Sequence, residues 1–199
     1  MAEAPHRLFV AVPVPATTRD ACRALIEPVR TLPYGRYARW VHLDTLHVTL
    51  RFLGDTAPER VPDVIAAVRD GVGDRPAFEV RLGGAGAFPP DGHKIRALWL
   101  GIAEGADGLG SIVEDLVAPL ARLGWPAETR PFRPHLTVAR TDRTGIRDAA
   151  LIAQALEGVA ADWTTSFVAD RVILFRSHLG GGPPRHEPVD EILLRATEG

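Results

Sequence analysis

A four-residue pattern that occurs twice constrains this chain more than any other feature. The copies are His47-Val48-Thr49-Leu50 and His135-Leu136-Thr137-Val138, and they lie 88 positions apart, from 47 to 135. Successive side chains of a strand point to opposite faces, so each histidine shares a face with its threonine while the apolar pair packs on the other. We therefore expect two half-buried strands, each presenting an imidazole and a hydroxyl, that face each other across a cleft.

The remaining patterns predict strands and helices in alternation around these tetrads. Continuous or alternating apolar runs predict strands, and apolar residues at helical spacing predict helices. The predicted strands cover 7–13, 47–53, 78–82, 96–102, 167–175 and 189–194, and the predicted helices cover 17–29, 58–71, 112–123 and 146–159. Gly54-Asp55 is typical of a turn that ends the first tetrad strand, and 78–82 and 96–102 are expected to form a hairpin.

The fold class follows from this order of elements. Each half of the chain holds a helix, a tetrad strand and a second helix, which indicates an internal duplication. We expect an α+β fold with two lobes, whose pseudo-symmetric, largely antiparallel sheets face each other across a central groove with helices outside. Residues 1–199 would form one such bilobal domain.

Charge and cysteine content narrow the functional setting. The net charge is −2, so the protein as a whole does not attract anions. An anionic substrate would have to bind to a local patch of positive charge. Cys22 is the only cysteine, which excludes an intrachain disulfide and favours a reducing, cytoplasmic location. The apolar run 8–14 is too short to span a membrane, so no membrane partner is expected. Nothing in the sequence demands more than a monomer.

Two histidines that face one phosphate can act as general acid and general base, because an imidazole has an ordinary pKa of about 6.5. In hydrolysis of a cyclic phosphodiester, one imidazole takes a proton from water and the other protonates the departing sugar oxygen. Thr49, Thr137 and a guanidinium would hold the remaining phosphate oxygens. This chemistry needs no metal or other cofactor, and the sequence contains no pattern typical of a metal site.

Several residues near the tetrads have two possible roles. Strict alternation puts Arg140 on the face opposite His135, although a bulge or the length of the side chain could return it to the phosphate. Arg51 is expected to share the face of His47 and could bind substrate or support the sheet. Trp40 and Phe132 could stack on a nucleobase or pack in the core.

The flanks of both tetrads resemble the two signatures of the 2H phosphoesterase superfamily, and within it the RNA 2′,3′-cyclic phosphodiesterases, also called 2′-5′ RNA ligases. The signatures are Leu46-His47-Val48-Thr49-Leu50-Arg51-Phe52-Leu53-Gly54 and Phe132-Arg133-Pro134-His135-Leu136-Thr137-Val138-Ala139-Arg140. The resemblance continues at 7–13, 39–41, 88–89, 98–101 and 174–179 and so covers nearly the whole chain. Where the family often has a tyrosine after its late Gly-Pro loop, this chain has Arg185-His186-Glu187, a difference that bears on substrate preference.

The resemblance implies a role for each residue that matches. His47 would be the proton donor to the 3′ oxygen, and His135 would be the proton acceptor that activates water. Thr49, Thr137 and Arg140 would bind phosphate oxygens. The implied activity is metal-independent hydrolysis of 2′,3′-cyclic phosphate ends of RNA or nucleotides to 2′-phosphomonoesters.

Two alternatives use the same groove. A 2′-5′ RNA ligase or 2′-5′ phosphodiesterase would act on linear 2′-5′ linkages. A non-catalytic module would only bind RNA ends, although binding alone would not need two titrating groups.

Overall fold

A computed structural model describes residues 4–89, 94–141, 144–178 and 185–196 of the 199-residue chain. This described part forms nine strands and four α-helices. The strands are β1 (His6–Pro13), β2 (Arg39–Trp40), β3 (His47–Thr56), β4 (Phe78–Phe88), β5 (Ala97–Glu104), β6 (His135–Arg140), β7 (Thr164–Ala169), β8 (Arg171–His178) and β9 (Arg185–Leu193). The helices are α1 (Ala16–Arg30), α2 (Val61–Val72), α3 (Ala106–Arg122) and α4 (Ile146–Ala160).

The strands form two antiparallel sheets. One has four strands in the order β3-β1-β8-β9, and the other has five strands in the order β2-β6-β5-β4-β7. Each sheet therefore contains one tetrad strand. The predicted α+β fold with two antiparallel sheets is confirmed.

The helices cover the sheets in two pairs. Helix α2 packs against α3 and contacts β8 and β9, and α3 also contacts β3. Helix α1 packs against α4, and these two contact β7 and β4 of the five-stranded sheet. Helix α1 thus leaves one sheet and packs on the other. One cluster of buried apolar side chains joins both halves, including Leu8 and Val48 on one side and Leu98 and Leu136 on the other.

The prediction of one strand over 167–175 is wrong. Strand β7 ends at Ala169 in the five-stranded sheet, and β8 begins at Arg171 in the four-stranded sheet. At the crossing, the carbonyl of Asp170 accepts a hydrogen bond from the backbone N–H of Leu194, and the Asp170 carboxylate binds the guanidinium of Arg171 at 2.9 Å. Apolar residues continue through both strands, so the pattern alone showed no break.

The turn predicted at Gly54-Asp55 is also wrong, because β3 continues to Thr56. Gly54 has φ of +71°, in the region that favours glycine, and it lies opposite Leu8 where the register of β1 and β3 shifts. The glycine therefore allows a bulge within a continuing strand and does not end it.

Strands β4 and β5 pair as the predicted hairpin, although β4 runs further than expected, to Phe88. Gly86 lies directly opposite Trp99, and a Cβ at this glycine would overlap the Trp99 ring. The absence of a side chain therefore makes room for an indole close to the second tetrad. Residues 90–93, which follow β4 in sequence, and residues 179–184 of the late Gly-Pro segment lie outside the described residues.

Candidate active site

The two tetrad strands meet where the sheets come together. Strand β3 is an edge of the four-stranded sheet, and β6 is separated from the edge of the five-stranded sheet only by the two-residue β2. β3 and β6 are not paired, yet their Cα atoms approach within 8 Å. This approach brings the two histidine-bearing strands to one place, although they are far apart in sequence.

Both histidines make the same hydrogen bond two residues back along the chain. Nδ1 of His47 is 2.7 Å from the carbonyl oxygen of Thr45, and Nδ1 of His135 is 2.7 Å from the carbonyl oxygen of Arg133. Because a carbonyl only accepts, each Nδ1 carries the hydrogen and donates it. Within the described residues no hydrogen bond reaches Nε2 of either histidine, so both Nε2 atoms are left to exchange protons with a ligand.

Each imidazole lies against a phenylalanine. The ring centres of Phe9 and His47 are 4.9 Å apart, and those of Phe88 and His135 are 5.0 Å apart in an edge-to-face arrangement. Trp99 contributes to the second wall, with its ring centre 6.4 Å from that of His135. These apolar walls remove water from one side of each imidazole.

The pKa values of both histidines are lowered. Burial lowers the pKa of His47 to about 4 against the opposing hydrogen bond to Thr45, and the nearby His186 and His135 lower it further. Burial also lowers the pKa of His135 against its bond to Arg133, with a further contribution from the charge of Arg140. The free protein therefore favours the neutral form of both imidazoles at neutral pH.

Both threonine hydroxyls lie on the faces that carry the histidines. Thr49 pairs with Ala11 in β1, on the face of Phe9, and Thr137 pairs with Trp99 in β5. Residues directly opposite in an antiparallel pair share a face. In the described part of the chain, neither hydroxyl has a hydrogen bond, so both can donate to a ligand.

A bulge in β6 turns Arg140 back towards the histidine. Trp99 pairs with Thr137 but Leu98 pairs with Ala139, which leaves Val138 as an extra residue. The alternation shifts by one, and Arg140 returns to the face of His135. Among the residues described, no hydrogen bond or ion pair engages its guanidinium. Of the two alternatives that the sequence left open for Arg140, the structure has the bulge and not strict alternation.

A bulge at the same place in β3 has the opposite effect on Arg51. Ala11 pairs with Thr49 and Val10 with Arg51, so Leu50 is extra and Arg51 moves to the face opposite Thr49. The expectation that Arg51 shares the face of the first histidine is therefore wrong. Its side chain is buried, donates a hydrogen bond to the carbonyl oxygen of Pro126, and lies 3.6 Å from the carboxylate of Glu128.

The structure also separates the other aromatic candidates. Trp40 donates its indole N–H to the carbonyl oxygen of Gly35 at 3.0 Å, and both Trp40 and Phe132 pack against the hydrophobic core. His186 lies at the site, with its ring centre 5.2 Å from that of His47 and perpendicular to it. The sequence interpretation did not consider Phe9 or Phe88 as neighbours of the histidines, because this proximity depends on strand pairing.

The described residues include neither a cluster of metal ligands nor a membrane-spanning helix. In residues 4–89, 94–141, 144–178 and 185–196, no three side chains of His, Cys, Asp or Glu converge as a metal site would require. No helix in the same ranges has both the length and the apolar character needed to cross a membrane.

The chain is similar in sequence to a known protein family and to several of its members. The sequence profile of the 2′-5′ RNA ligase superfamily matches residues 18–181. An RNA 2′,3′-cyclic phosphodiesterase of Thermus thermophilus is 31% identical, over 97% of this chain and 92% of the relative. One of Geobacillus stearothermophilus is 29% identical over 96% of this chain but 58% of the relative, so this chain spans little more than half the length of that protein.

A solved structure has a similar overall fold. Escherichia coli LigT complexed with 3′-AMP superposes with a TM-score of 0.70 at 27% identity, over 96% of this chain and 98% of that one.

Proposed function

Since the chain belongs to the 2′-5′ RNA ligase superfamily, we propose that it is an RNA 2′,3′-cyclic phosphodiesterase that opens cyclic phosphate ends of RNA or nucleotides to 2′-phosphomonoesters. The names of its relatives from Thermus and Geobacillus support this assignment. The observation that carries it is the identical Nδ1 hydrogen bond of His47 and His135, which leaves two Nε2 atoms on strands that meet. Simple binding of a phosphate would not require this pair of matched tautomers.

In the proposed reaction His135 is the proton acceptor and His47 is the proton donor. Nε2 of His135 takes a proton from water as the water oxygen attacks phosphorus. The bond between phosphorus and the 3′ oxygen breaks, and Nε2–H of His47 gives its proton to that oxygen, which leaves a 2′-phosphate. His135 ends protonated and His47 neutral, and exchange with solvent restores the starting state.

The lowered pKa of His47 determines when it gains its proton. In the free protein burial disfavours the imidazolium, whose pKa is about 4. A phosphodiester bound between the imidazoles is an anion. An opposite charge in contact with an imidazole raises the pKa of that histidine. The donor would therefore be protonated together with substrate binding and not before it.

The remaining groups hold the phosphate. Thr49 and Thr137 can each donate a hydroxyl hydrogen to a non-bridging oxygen, and Arg140 can supply a cationic pair of donors beside His135. These donors neutralise developing charge without a metal, so we propose a metal-independent reaction. We also propose that the chain acts in a reducing cytoplasm as a monomer, because both histidines come from one chain and its single cysteine, Cys22, is buried.

The proposal can be tested by identifying the product and by comparing the activities of two histidine variants with that of a control variant. ³¹P NMR of the product from a 2′,3′-cyclic nucleotide should show a 2′-phosphate, with full activity in excess EDTA. His47→Ala and His135→Ala should each lower kcat by about 10²–10⁴-fold, as expected for loss of a general acid or base. His42→Ala, at an exposed histidine that lies 3.5 Å from Asp44, should keep full activity. A 3′-phosphate product, or activity in either tetrad variant close to that of the wild type, would contradict the proposal.

The superfamily's description favours 2′-5′ ligation as a second candidate, since a ribose 5′-hydroxyl could replace water as the attacking group. Incubation with a cyclic phosphate end and a 5′-hydroxyl RNA should distinguish the two reactions by the presence or absence of a new 2′-5′ linkage. Tight binding of a cyclic phosphate end without any turnover would instead indicate a binding module.

A further inference from the structure

His186 is a third histidine at the active site, and the proposed reaction does not use it. Its ring centre lies 5.2 Å from that of His47, at 90° to it, and 5.0 Å from that of Phe9. Phe9 in turn lies 4.9 Å from His47, so one phenylalanine packs against both imidazoles. The two histidines therefore share one apolar wall, although β3 and β9 are the two outer strands of the four-stranded sheet.

The hydrogen bonding of His186 differs from that of the tetrad histidines. Its Nδ1 atom is buried and has no hydrogen-bond partner within the described residues, whereas Nδ1 of His47 and of His135 each donates to a carbonyl. A hydrogen on this buried Nδ1 would lack an acceptor, so neutral His186 carries its hydrogen on Nε2. A buried polar atom without a partner costs stability, so an apolar residue would serve better if this position had only to pack β9.

The face of the sheet that carries both rings has no carboxylate left to compensate a positive charge on them. In the described residues, the carboxylates on this face each have a guanidinium partner: Asp55 lies 3.9 Å from Arg7, and Glu191 lies 2.5 Å from Arg171. Across the groove, β6 contributes only a histidine and a cation, His135 and Arg140. Two protonated imidazoles in contact would therefore repel each other without compensation.

The charged groups on the other face of β8 and β9 form pairs of their own. They are Glu187 with His178 at 2.6 Å, flanked by Arg176 and Arg185, and Asp190 with Arg69 of α2 at 2.6 Å. The sheet itself separates these groups from His186, because successive residues of a strand point to opposite faces. Protonation of the two rings therefore depends on each other and on an anion bound in the groove.

We propose that His186 is a positioning residue that acts through His47: the two imidazoles compete for a single proton, and His186 keeps the general acid neutral until substrate binds. This inference rests on the proposed function, in which His47 is the proton donor. A cation on either ring opposes a second proton on the other, which makes the pair one coupled titrating unit. Burial lowers the pKa of His186, and burial together with His186 lowers that of His47.

A bound phosphate anion decides the competition in favour of His47. When His47 takes a proton from solvent on Nε2, its Nδ1–H already has an acceptor in the carbonyl of Thr45. A second proton on His186 would go to Nδ1, which has no acceptor. The substrate therefore brings the proton to the ring that faces the departing oxygen, and His186 stays neutral.

The experiment measures the pKa of each ring in the free protein by NMR titration of the Cε1–H signals. His186→Gln removes the second titrating ring and should raise the pKa of His47 by about 0.5–2, as expected for loss of a unit charge about 5 Å away. Coupling between two sites is reciprocal, so His47→Gln should raise the pKa of His186 by a similar amount. His178→Gln removes a histidine from the other face of the sheet and should change neither value.

The reaction supplies a second readout. Above the pKa values of both tetrad histidines, kcat/KM is proportional to the protonated fraction of His47. His186→Gln should therefore raise kcat/KM for adenosine 2′,3′-cyclic phosphate at about pH 7.5 by about 3–100-fold and move the falling limb of the pH profile to higher pH. His178→Gln should follow the wild type. His186→Phe also removes the unpartnered Nδ1 and should act in the same direction as the glutamine variant.

The NMR titration keeps this inference separate from the proposed function, because it does not depend on turnover. A reciprocal rise of the two pKa values would support the coupled pair even if the wild type opened no cyclic phosphate, which would refute the proposed function alone. An unchanged pKa of His47 in both His186 variants would overturn the inference. A lower kcat/KM at every pH, with the pKa of His47 unchanged, would also overturn it and would indicate that His186 contacts the substrate directly.

Discussion

Replacement of His47 by glutamine should reduce the pH dependence of the free energy of unfolding. Burial lowers the pKa of His47 to about 4 in the folded protein, whereas a histidine in an unfolded chain has a pKa of about 6.5. Between these values the unfolded state binds more protons, so stability falls as the pH falls from about 6.5 towards 4. A glutamine cannot titrate, yet its amide can still donate to the carbonyl oxygen of Thr45.

The size of the effect follows from the two pKa values. One pKa unit corresponds to about 1.4 kcal/mol, so the folded protein would lose about 3 kcal/mol from this histidine once the pH is below both values. At about pH 4.5 the loss relative to pH 7.5 is about 2.5 kcal/mol by the same relation. This is a large part of the 5–15 kcal/mol that is typical for the stability of a domain.

Urea unfolding of the wild type and of His47→Gln, measured at several pH values from about 7.5 to 4.5, gives the difference directly. Titrating groups that do not interact with His47 contribute equally to both proteins and cancel in the comparison. The stability of the wild type relative to the variant should shrink by about 2.5 kcal/mol over this range. His42→Gln, at an exposed position, should follow the wild type. A difference between wild type and His47→Gln that stays constant with pH would refute the reasoning.

Two further predictions concern catalysis and the buried arginine. The pH dependence of kcat/KM reports the free enzyme, in which the pKa values of both histidines are lowered. In initial-rate measurements kcat/KM should therefore be highest on the acid side of about pH 6.5 and fall as the pH rises, and a maximum on the alkaline side would contradict the lowered pKa values. Arg51→Met should lower the free energy of unfolding in urea by about 1–3 kcal/mol, through loss of the bond to Pro126, and leave KM for a cyclic nucleotide unchanged. A higher KM at unchanged stability would instead place Arg51 in the groove.

Side-chain alternation predicted the site only as far as the first irregularity in each tetrad strand. It correctly placed His47 with Thr49 and His135 with Thr137, because these pairs lie two residues apart in regular strand. It failed one residue later. The extra residues, Leu50 and Val138, are ordinary apolar side chains of a kind that regular strands contain, so nothing in the sequence distinguishes a bulge from a continuing strand.

Topology was harder to predict than the elements themselves. The apolar run through 167–175 has the composition of one long strand, yet its two parts lie in different sheets on either side of Asp170. The choice of sheet depends on partners that are distant in sequence, since β7 pairs with β4 and β8 pairs with β1 and β9. Local propensity contains no information about these partners.

The similarity of the two tetrad strands, β3 and β6, does not by itself determine which histidine acts as the acid. Two equivalent strands, with the same tautomer on each histidine and a bulge at the same place, would accept a cyclic phosphate in either of two orientations. The difference lies after the bulge, where β6 presents Arg140 and β3 presents Phe52. The guanidinium of Arg140 attracts an anionic phosphate towards β6, and the corresponding position in β3 carries no charge. We propose that this single cation favours one orientation of the cyclic phosphate, in which the departing ribose oxygen faces His47 and the attacking water faces His135.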